Sequence, residues 1–448
     1  MNISRAYFSA IHEVAQHKIP ENVLARARRS LLDYLAVTCA GSDFQKVKLQ
    51  GYYAFTEPEE GIFKVIGTGR SLALKEAVFL NGLNAHALDF DDGTNSGIIH
   101  LGSPIFSLLL PLAQRYGNTI DELLRAAIVG YEASYTMAVS IQPKHKALGF
   151  HATGTCGMLG ATLAAAYMLG FSEEERYQAF AAACVSASGM LKVLDDGSEL
   201  KPYNVAKTAL LSLTSLQLAK AGFKGHEDPL GGYRGFLNMM TGDEHTVIKP
   251  TLLNGTYAIM KSYTKPYASC RYTHPPVEAA IYLRNQFCLT AENVKSVKVD
   301  TYDLAVKGHD HIDIKGAYSA KMSTPYSTAV ALIFGKAGLQ EFCEDCLKDK
   351  TVKALTEKVI VHADEELSRI FPDKQSAIVT ITTMDGKVYS QRVDYPKGEP
   401  ENPLTDGEFR DRYEALMEYG GIKEAVYTSI YNQVNQPGVK AADLIKDL

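Results

Sequence analysis

The feature that most constrains this chain is a rhythm. Between residues 21 and 221, apolar residues recur every three to four positions, or run on without interruption, in one segment after another. The segments are Glu21–Ala40, Leu72–Leu88, Ile105–Tyr116, Thr119–Gln142, Gly154–Leu169, Ser172–Leu191 and Tyr203–Ala221. That spacing is the 3.6-residue period of an α-helix with one face buried. Start signals recur too, with Ser71 before LALKEAV, Thr119 before IDELLRAA and Ser172 before EEERYQAF; their side-chain oxygens can cap a helix N-terminus. Residues 1–260 thus read as almost all helix, with small-residue helices packed closely inside.

After residue 260 the period changes. Val294–Tyr302 and Ala377–Thr383 alternate apolar and polar residues, and a Met-Asp-Gly-Lys turn joins the second to Val388–Val393. These read as strands, the last two as a hairpin. Helical patterns fall between them at Pro275–Phe287, Thr324–Phe334 and Leu339–Lys353. At 448 residues the chain is too long for one ordinary core. The expected organisation is a helical domain over 1–264, an α+β domain over 265–395 and a C-terminal helical segment over 396–448. That segment opens on a Pro/Gly-rich stretch and is too short for its own core, so it is expected to pack back on the first domain.

Composition narrows the functional classes. A hydrophobic content of 46% and a charged content of 22% are those of a soluble globular protein. A net charge of −5, with no basic cluster among aromatics, argues against nucleic acid. The first twenty residues are amphipathic and lack the apolar core of a signal peptide. Ala152–Phe171 carries no charge but is rich in Gly, Thr and Ala, which suits a helix buried in protein better than a bilayer span. The seven cysteines are odd in number and sit mostly in apolar settings, as expected for reduced thiols in the cytoplasm. Cys343 and Cys346 form a lone C-x-x-C without a second pair, which reads as structural thiols on a helix and not as a zinc site. Neither a P-loop nor a G-x-G-x-x-G is present, so a nucleotide cofactor is not indicated.

Polar residues within apolar or Gly-rich surroundings mark the candidate chemistry. In NGLNAHALDFDDGTNSGIIH (81–100) a helical pattern runs into Asp89, Asp91 and Asp92, and a small-residue loop leads to His100. Such a junction suits proton transfer, because the helix fixes position and an acid can set the imidazole tautomer; the bland alternative is a solvated acidic loop and a core histidine. His151 in FHATGTCG stands at a helix start, either as a cap or beside an anion. Lys201 in DDGSELKPYNVAK (195–207) follows a turn, as a fixed cation for a carboxylate or as a solvated lysine. Lys265, Arg271 and His274 lie within ten residues, a cationic patch or a basic linker, and Arg271 can grip a carboxylate with two hydrogen bonds. Tyr326 in KMSTPYS is a proton donor or part of the core. GHDHID (308–313) resembles a metal motif but lacks a third ligand at regular spacing, and reads as a solvated loop.

The order of these stretches resembles the MmgE/PrpD family, which contains 2-methylcitrate dehydratases, cis-aconitate decarboxylases and iminodisuccinate epimerases. The residues that carry the resemblance are RARRSLLDYLAVTCAG (26–41), NGLNAHALDFDD (81–92), GFHATGTCGMLGA (149–161), GSELKPYNVAKTA (197–209), KPYASCRYTH (265–274) and AKMSTPYSTAVAL (320–332). The resemblance implies a mainly α fold, in which both chain ends form a large helical domain and a smaller α+β lid is inserted. It also implies a homodimer without metal or cofactor, with the site in the cleft between the domains. Its site residues fall here on Asp89, His100, His151, Lys201, Lys265 and Tyr326, with Thr94, Cys270, Arg271 and His274 beside them for substrate. The chain departs from the family pattern at Gly93, where Ser or Thr is frequent, at Leu101 (Pro), at Asn204 and Ala206 (His and Gly), and at Cys270 (His).

The implied chemistry is proton removal next to a carboxylate on a small di- or tricarboxylic acid. His100 or His151 moves protons, Asp89 tunes His100, and Lys201, Lys265 and Arg271 hold carboxylates, with Tyr326 as donor. Dehydration of the 2-methylcitrate type is the leading expectation. Decarboxylation of cis-aconitate, epimerisation of an iminodisuccinate-like acid and carboxylate binding without catalysis are the alternatives.

Overall fold

The computed structural model describes residues 2–194 and 198–448. Among them are 21 α-helices and six strands, so the chain is mainly α. It divides into two compact units: Met1–Leu191, Leu200–Ser262 and Asp406–Leu448 form one, Lys192–Glu199 and Tyr263–Thr405 the other. No described helix is long and apolar enough to cross a membrane.

In the first unit the expected helices form at Glu21–Phe44, Leu74–Ala85, Gly102–Tyr116, Ile120–Ile141, Ala152–Met168, Glu173–Ser186 and Lys201–Lys220. Thr119 and Ser172 each close a capping box with the glutamate three residues on. Ser71 caps nothing: it lies in a short strand, and Ala73 precedes the helix. That strand, β2 (Arg70–Leu72), pairs antiparallel with β1 (Glu60–Val65), between the first two periodic segments. Asn81 ties this hairpin to the Leu74–Ala85 helix, accepting from the Ile66 N–H at 2.9 Å and donating to the Lys64 carbonyl at 3.0 Å.

Small residues bring the helices together where it matters. A Cβ on Gly160 would lie 2.3 Å from the Gly130 carbonyl oxygen, and one on Gly82 would lie 2.8 Å from the Ala206 Cα. Backbone thus meets backbone between Ile120–Ile141 and Ala152–Met168, and between Leu74–Ala85 and Lys201–Lys220. The C-terminal helix Asp406–Tyr419 joins the same unit through Arg412, which pairs with the buried Asp33 and donates to the Phe90 carbonyl at 2.9 Å.

The second unit carries a four-stranded sheet in the order β4-β3-β5-β6, built from β3 (Val294–Thr301), β4 (Val359–Ala363), β5 (Ala377–Thr383) and β6 (Val388–Val393). β3 and β4 are parallel and the other pairs antiparallel. Strand β4, an edge strand with one buried and three exposed positions, escaped the pattern. Helices His274–Phe287 and Thr324–Phe334 form as expected. Leu339–Lys353 does not form one helix. Extended backbone at Cys343 and Asp349 breaks it, and Asp349 restarts it by capping Thr351 and Val352.

Candidate functional site

The Leu74–Ala85 helix stops at His86, and the chain turns at Asp89, whose φ of +50° lies in the left-handed region. Aspartate tolerates that region better than most residues, and such conformations gather where geometry serves function. The turn folds the acids back into the protein: Asp89, Asp91 and Asp92 are all buried, so the loop is not solvated. Asp92 accepts from the Gly102 N–H at 2.9 Å and the Tyr131 hydroxyl at 2.5 Å, which anchors the next helix. Burial pushes its carboxyl up to about 6.

Asp91 holds the centre. It accepts from His86 Nδ1–H at 2.8 and 2.9 Å and from the Ser103 hydroxyl at 2.6 Å, and His100 Nδ1 stands 3.3 Å away. Burial pushes this carboxyl up, but the imidazoles of His100 and His86 outweigh it and hold Asp91 well below the usual range. His100 Nδ1 also donates to the Asp92 carbonyl at 2.8 Å. Both oxygens facing that nitrogen accept only, so the proton sits on Nδ1 and Nε2 offers its lone pair.

Nε2 of His100 lies 3.7 Å from Asp89 Oδ1, and that oxygen receives the Lys201 ammonium at 2.7 Å. Lys201 opens the Lys201–Lys220 helix and its side chain is only 10% exposed, so it is an ion-paired group and not a solvated loop lysine. Asp195, at the head of the segment that contains it, lies outside the described residues, as do Asp196 and Gly197. His151 precedes the Ala152–Met168 helix without capping it; its backbone N–H binds the Gly189 carbonyl at 3.0 Å while its buried Nδ1 has no partner. Burial, with Lys201 close by, drives this imidazole well below its usual range, so it is neutral at neutral pH. The rings of His100 and His151 are 6.4 Å apart. Thr94 lies on the same loop, its N–H on the Ile99 carbonyl and its buried hydroxyl unpartnered.

The first unit thus brings Asp89, His100, His151 and Lys201 together, with Thr94 on the connecting loop. His86, Asp91 and Ser103 complete the cluster, and sequence reasoning gave neither His86 nor Ser103 a role. His86, Asp89, Asp91 and His100 each offer a ligand atom within 4.8 Å of the others, a spacing a divalent cation can bridge. The Lys201 ammonium already supplies a positive charge to Asp89 there.

With this geometry in view, the comparisons with known proteins are decisive. Residues 8–248 match the MmgE/PrpD N-terminal domain and residues 267–432 the MmgE/PrpD C-terminal domain. This chain belongs to the MmgE/PrpD family. It is 26% identical over 429 residues to a cis-aconitate decarboxylase of Aspergillus terreus, covering 90% of this chain and 86% of that one. A cis-aconitate decarboxylase-like protein, oryM, of Aspergillus oryzae is 27% identical over 448 residues (93% and 90%). The cis-aconitate decarboxylase of Mus musculus is 23% identical over 437 residues (92% and 86%).

The other candidates of this MmgE/PrpD chain lie in its second unit, and each is held. Lys265 is buried and donates to the Ser269 carbonyl at 3.2 Å, which His274 Nε2 also reaches at 3.2 Å. Arg271 forms a buried ion pair with Glu399 and keeps Nη1 without a partner. Cys270 binds the Lys321 carbonyl through its backbone N–H. Tyr326 is buried, its hydroxyl donating to the Glu341 carbonyl at 2.9 Å. GHDHID is a loop with Gly308, Asp310, Ile312 and Asp313 exposed, but its imidazoles turn inward: His309 is buried with Nδ1 on the Met322 carbonyl at 2.7 Å, and His311 reaches Ser319. These imidazoles bind the backbone.

Proposed function

We propose that this MmgE/PrpD chain is a cofactor-independent lyase that transfers protons at the carbon next to a carboxylate of a small di- or tricarboxylic acid. The observation that carries the reading is the buried Lys201–Asp89–His100 contact, with His151 held neutral beside it. A proton next to a carboxylate is weakly acidic, and its removal leaves enolate-like charge. His100 Nε2 and His151 are the acid and base, and Lys201 is the cation that offsets that charge; a well-aimed donor contributes about 3 kcal/mol to such a transition state. Asp89 fixes Lys201 and faces His100. Lys265 is proposed as a carboxylate-holding cation of the second unit, with Cys270, Arg271, His274 and Tyr326 as its further substrate-binding groups.

Among the reactions, decarboxylation of a cis-aconitate-type acid is favoured by the names of the relatives. Dehydration of the 2-methylcitrate type uses the same groups and is the second reading. The test is proton NMR in D₂O with 2-methylcitrate, citrate, cis-aconitate and iminodisuccinate. Itaconate with carbon dioxide marks the decarboxylase. New vinyl signals without carbon dioxide mark the dehydratase. Deuterium uptake with scrambling and no elimination marks the epimerase, and binding without any change marks a carboxylate-binding protein and overturns the lyase.

A further inference from the structure

His86 takes no part in the chemistry above, yet it is built like a base. Its side chain is fully buried. Its Nδ1 faces only the two oxygens of Asp91, at 2.8 and 2.9 Å, so that nitrogen carries the proton. Ser103 steadies the same carboxylate from the other side. The remaining nitrogen, Nε2, is a lone-pair acceptor buried without a hydrogen-bond partner. An acceptor left so carries an uncompensated desolvation penalty, one that a purely structural histidine has no reason to carry. The second unsatisfied imidazole nitrogen of the cluster is Nδ1 of His151. The centroids of the two rings lie 6.0 Å apart and the rings are 30° from parallel, close enough for one oxygen to hydrogen-bond to a nitrogen of each.

We infer that His86 is a proton-holding residue that acts through His151: a proton taken up by His151 passes to His86 Nε2 across one bridging water or substrate oxygen. The inference rests on the acid–base reading of this site. The N–H bond at His151 Nδ1 breaks, the bridging oxygen takes that hydrogen and gives its own to His86 Nε2, and His86 keeps its Nδ1–H on Asp91. His151 is then neutral again, with its remaining proton on Nε2 and Nδ1 free to take up the next proton. The charges around the pair set the direction. Asp91 touches His86 and stabilises an imidazolium there, with His100 and Lys201 opposing; Lys201 and His100 stand against a charge on His151, with Asp89 alone in its favour. Of the two rings, His86 is the better place for the proton.

Two variants test this. His86→Gln keeps a donor for Asp91 and an acceptor at the other end but cannot take a proton. The expected result is a fall in kcat of about tenfold or more, with KM within about twofold. Full wild-type kcat in His86→Gln makes the role structural and overturns the relay. His86→Leu removes the acceptor altogether. In the ¹⁵N-histidine-labelled full chain, the His151 nitrogens are expected to change tautomer in this variant, with folding checked by thermal melting. His151 signals identical to wild type overturn the relay. Because the spectra need no substrate, they decide it even where no acid in the panel is turned over, a result that sinks the lyase reading alone.

Discussion

The Asp89–His100 loop of the first unit and the Lys265–His274 segment of the second both bury charged and polar side chains, the one acidic and the other basic, and they are wired in opposite ways. In the second, Lys265 and His274 converge on the Ser269 carbonyl and Arg271 is neutralised by Glu399. In the first, His86 Nε2, His151 Nδ1 and the Thr94 hydroxyl are left without partners beside a lysine and two carboxylates. A buried polar group that a fold satisfies holds the fold; one it leaves unsatisfied awaits a ligand. The difference sets a cluster with open hydrogen-bonding atoms apart from one whose cations are largely held by the fold.

The sharpest way to break that contrast is to remove reactive groups. Lys201→Ala and His100→Ala are each expected to lower kcat/KM by about 10²–10⁴-fold; full turnover in both, measured by the NMR assay, means the site lies elsewhere. The second unit should answer in stability as well as in turnover. Arg271→Ala removes one partner of a buried ion pair, and is expected to cost about 3–5 kcal/mol in denaturant unfolding. Unchanged stability would show that the pair with Glu399 does not brace the fold, and would erase the contrast.

A smaller effect lies in pH. The folded state holds Asp92 up to about 6, so it binds more protons than the unfolded chain and stability falls as pH rises from about 4 to 6. His86, lowered by burial to about 4, binds fewer, and stability rises over nearly the same window. The two oppose one another in the wild type. Relative to it, Asp92→Asn should gain stability as pH rises between 4 and 6 and His86→Gln should lose it, by up to about 1.4 kcal/mol per pH unit. Parallel profiles would show that neither group titrates as described. The smallest expected effect is that of a chelator: turnover should stay within about twofold in EDTA, and a loss that zinc or manganese restores would make His86, Asp89, Asp91 and His100 a metal centre.

Much of this was legible in the chain. Strands β5 and β6 and the Thr324–Phe334 helix fall where periodicity puts them, because each is long enough to show its period and ends on a clear turn or cap. Asp89, His100, His151 and Lys201 stood out as polar residues at helix ends. His86 did not. Its partner Asp91 lies five residues on, a spacing that no regular element brings together, and only the left-handed turn at Asp89 folds one onto the other. The nearest sequence signal is an imidazole closing a helix just before an acidic turn. Similarly, nothing in GHDHID announces that its imidazoles tie down backbone carbonyls, and Leu339–Lys353 keeps its apolar rhythm across two breaks set by single residues.

The contacts at Gly82 and Gly160 carry a consequence for how such a scaffold diversifies. Where backbone rests on backbone, there is no side chain to trim and no slack to fill. The helices that present His86, His151 and Lys201 therefore cannot slide to suit a longer or shorter acid without losing their footing. Variation in substrate has to be written at the rim, in residues such as Thr94 on the loop between Asp89 and His100, which does not support the crossings. A chain built this way inherits its reacting groups as a fixed instrument and changes its repertoire by altering what surrounds it.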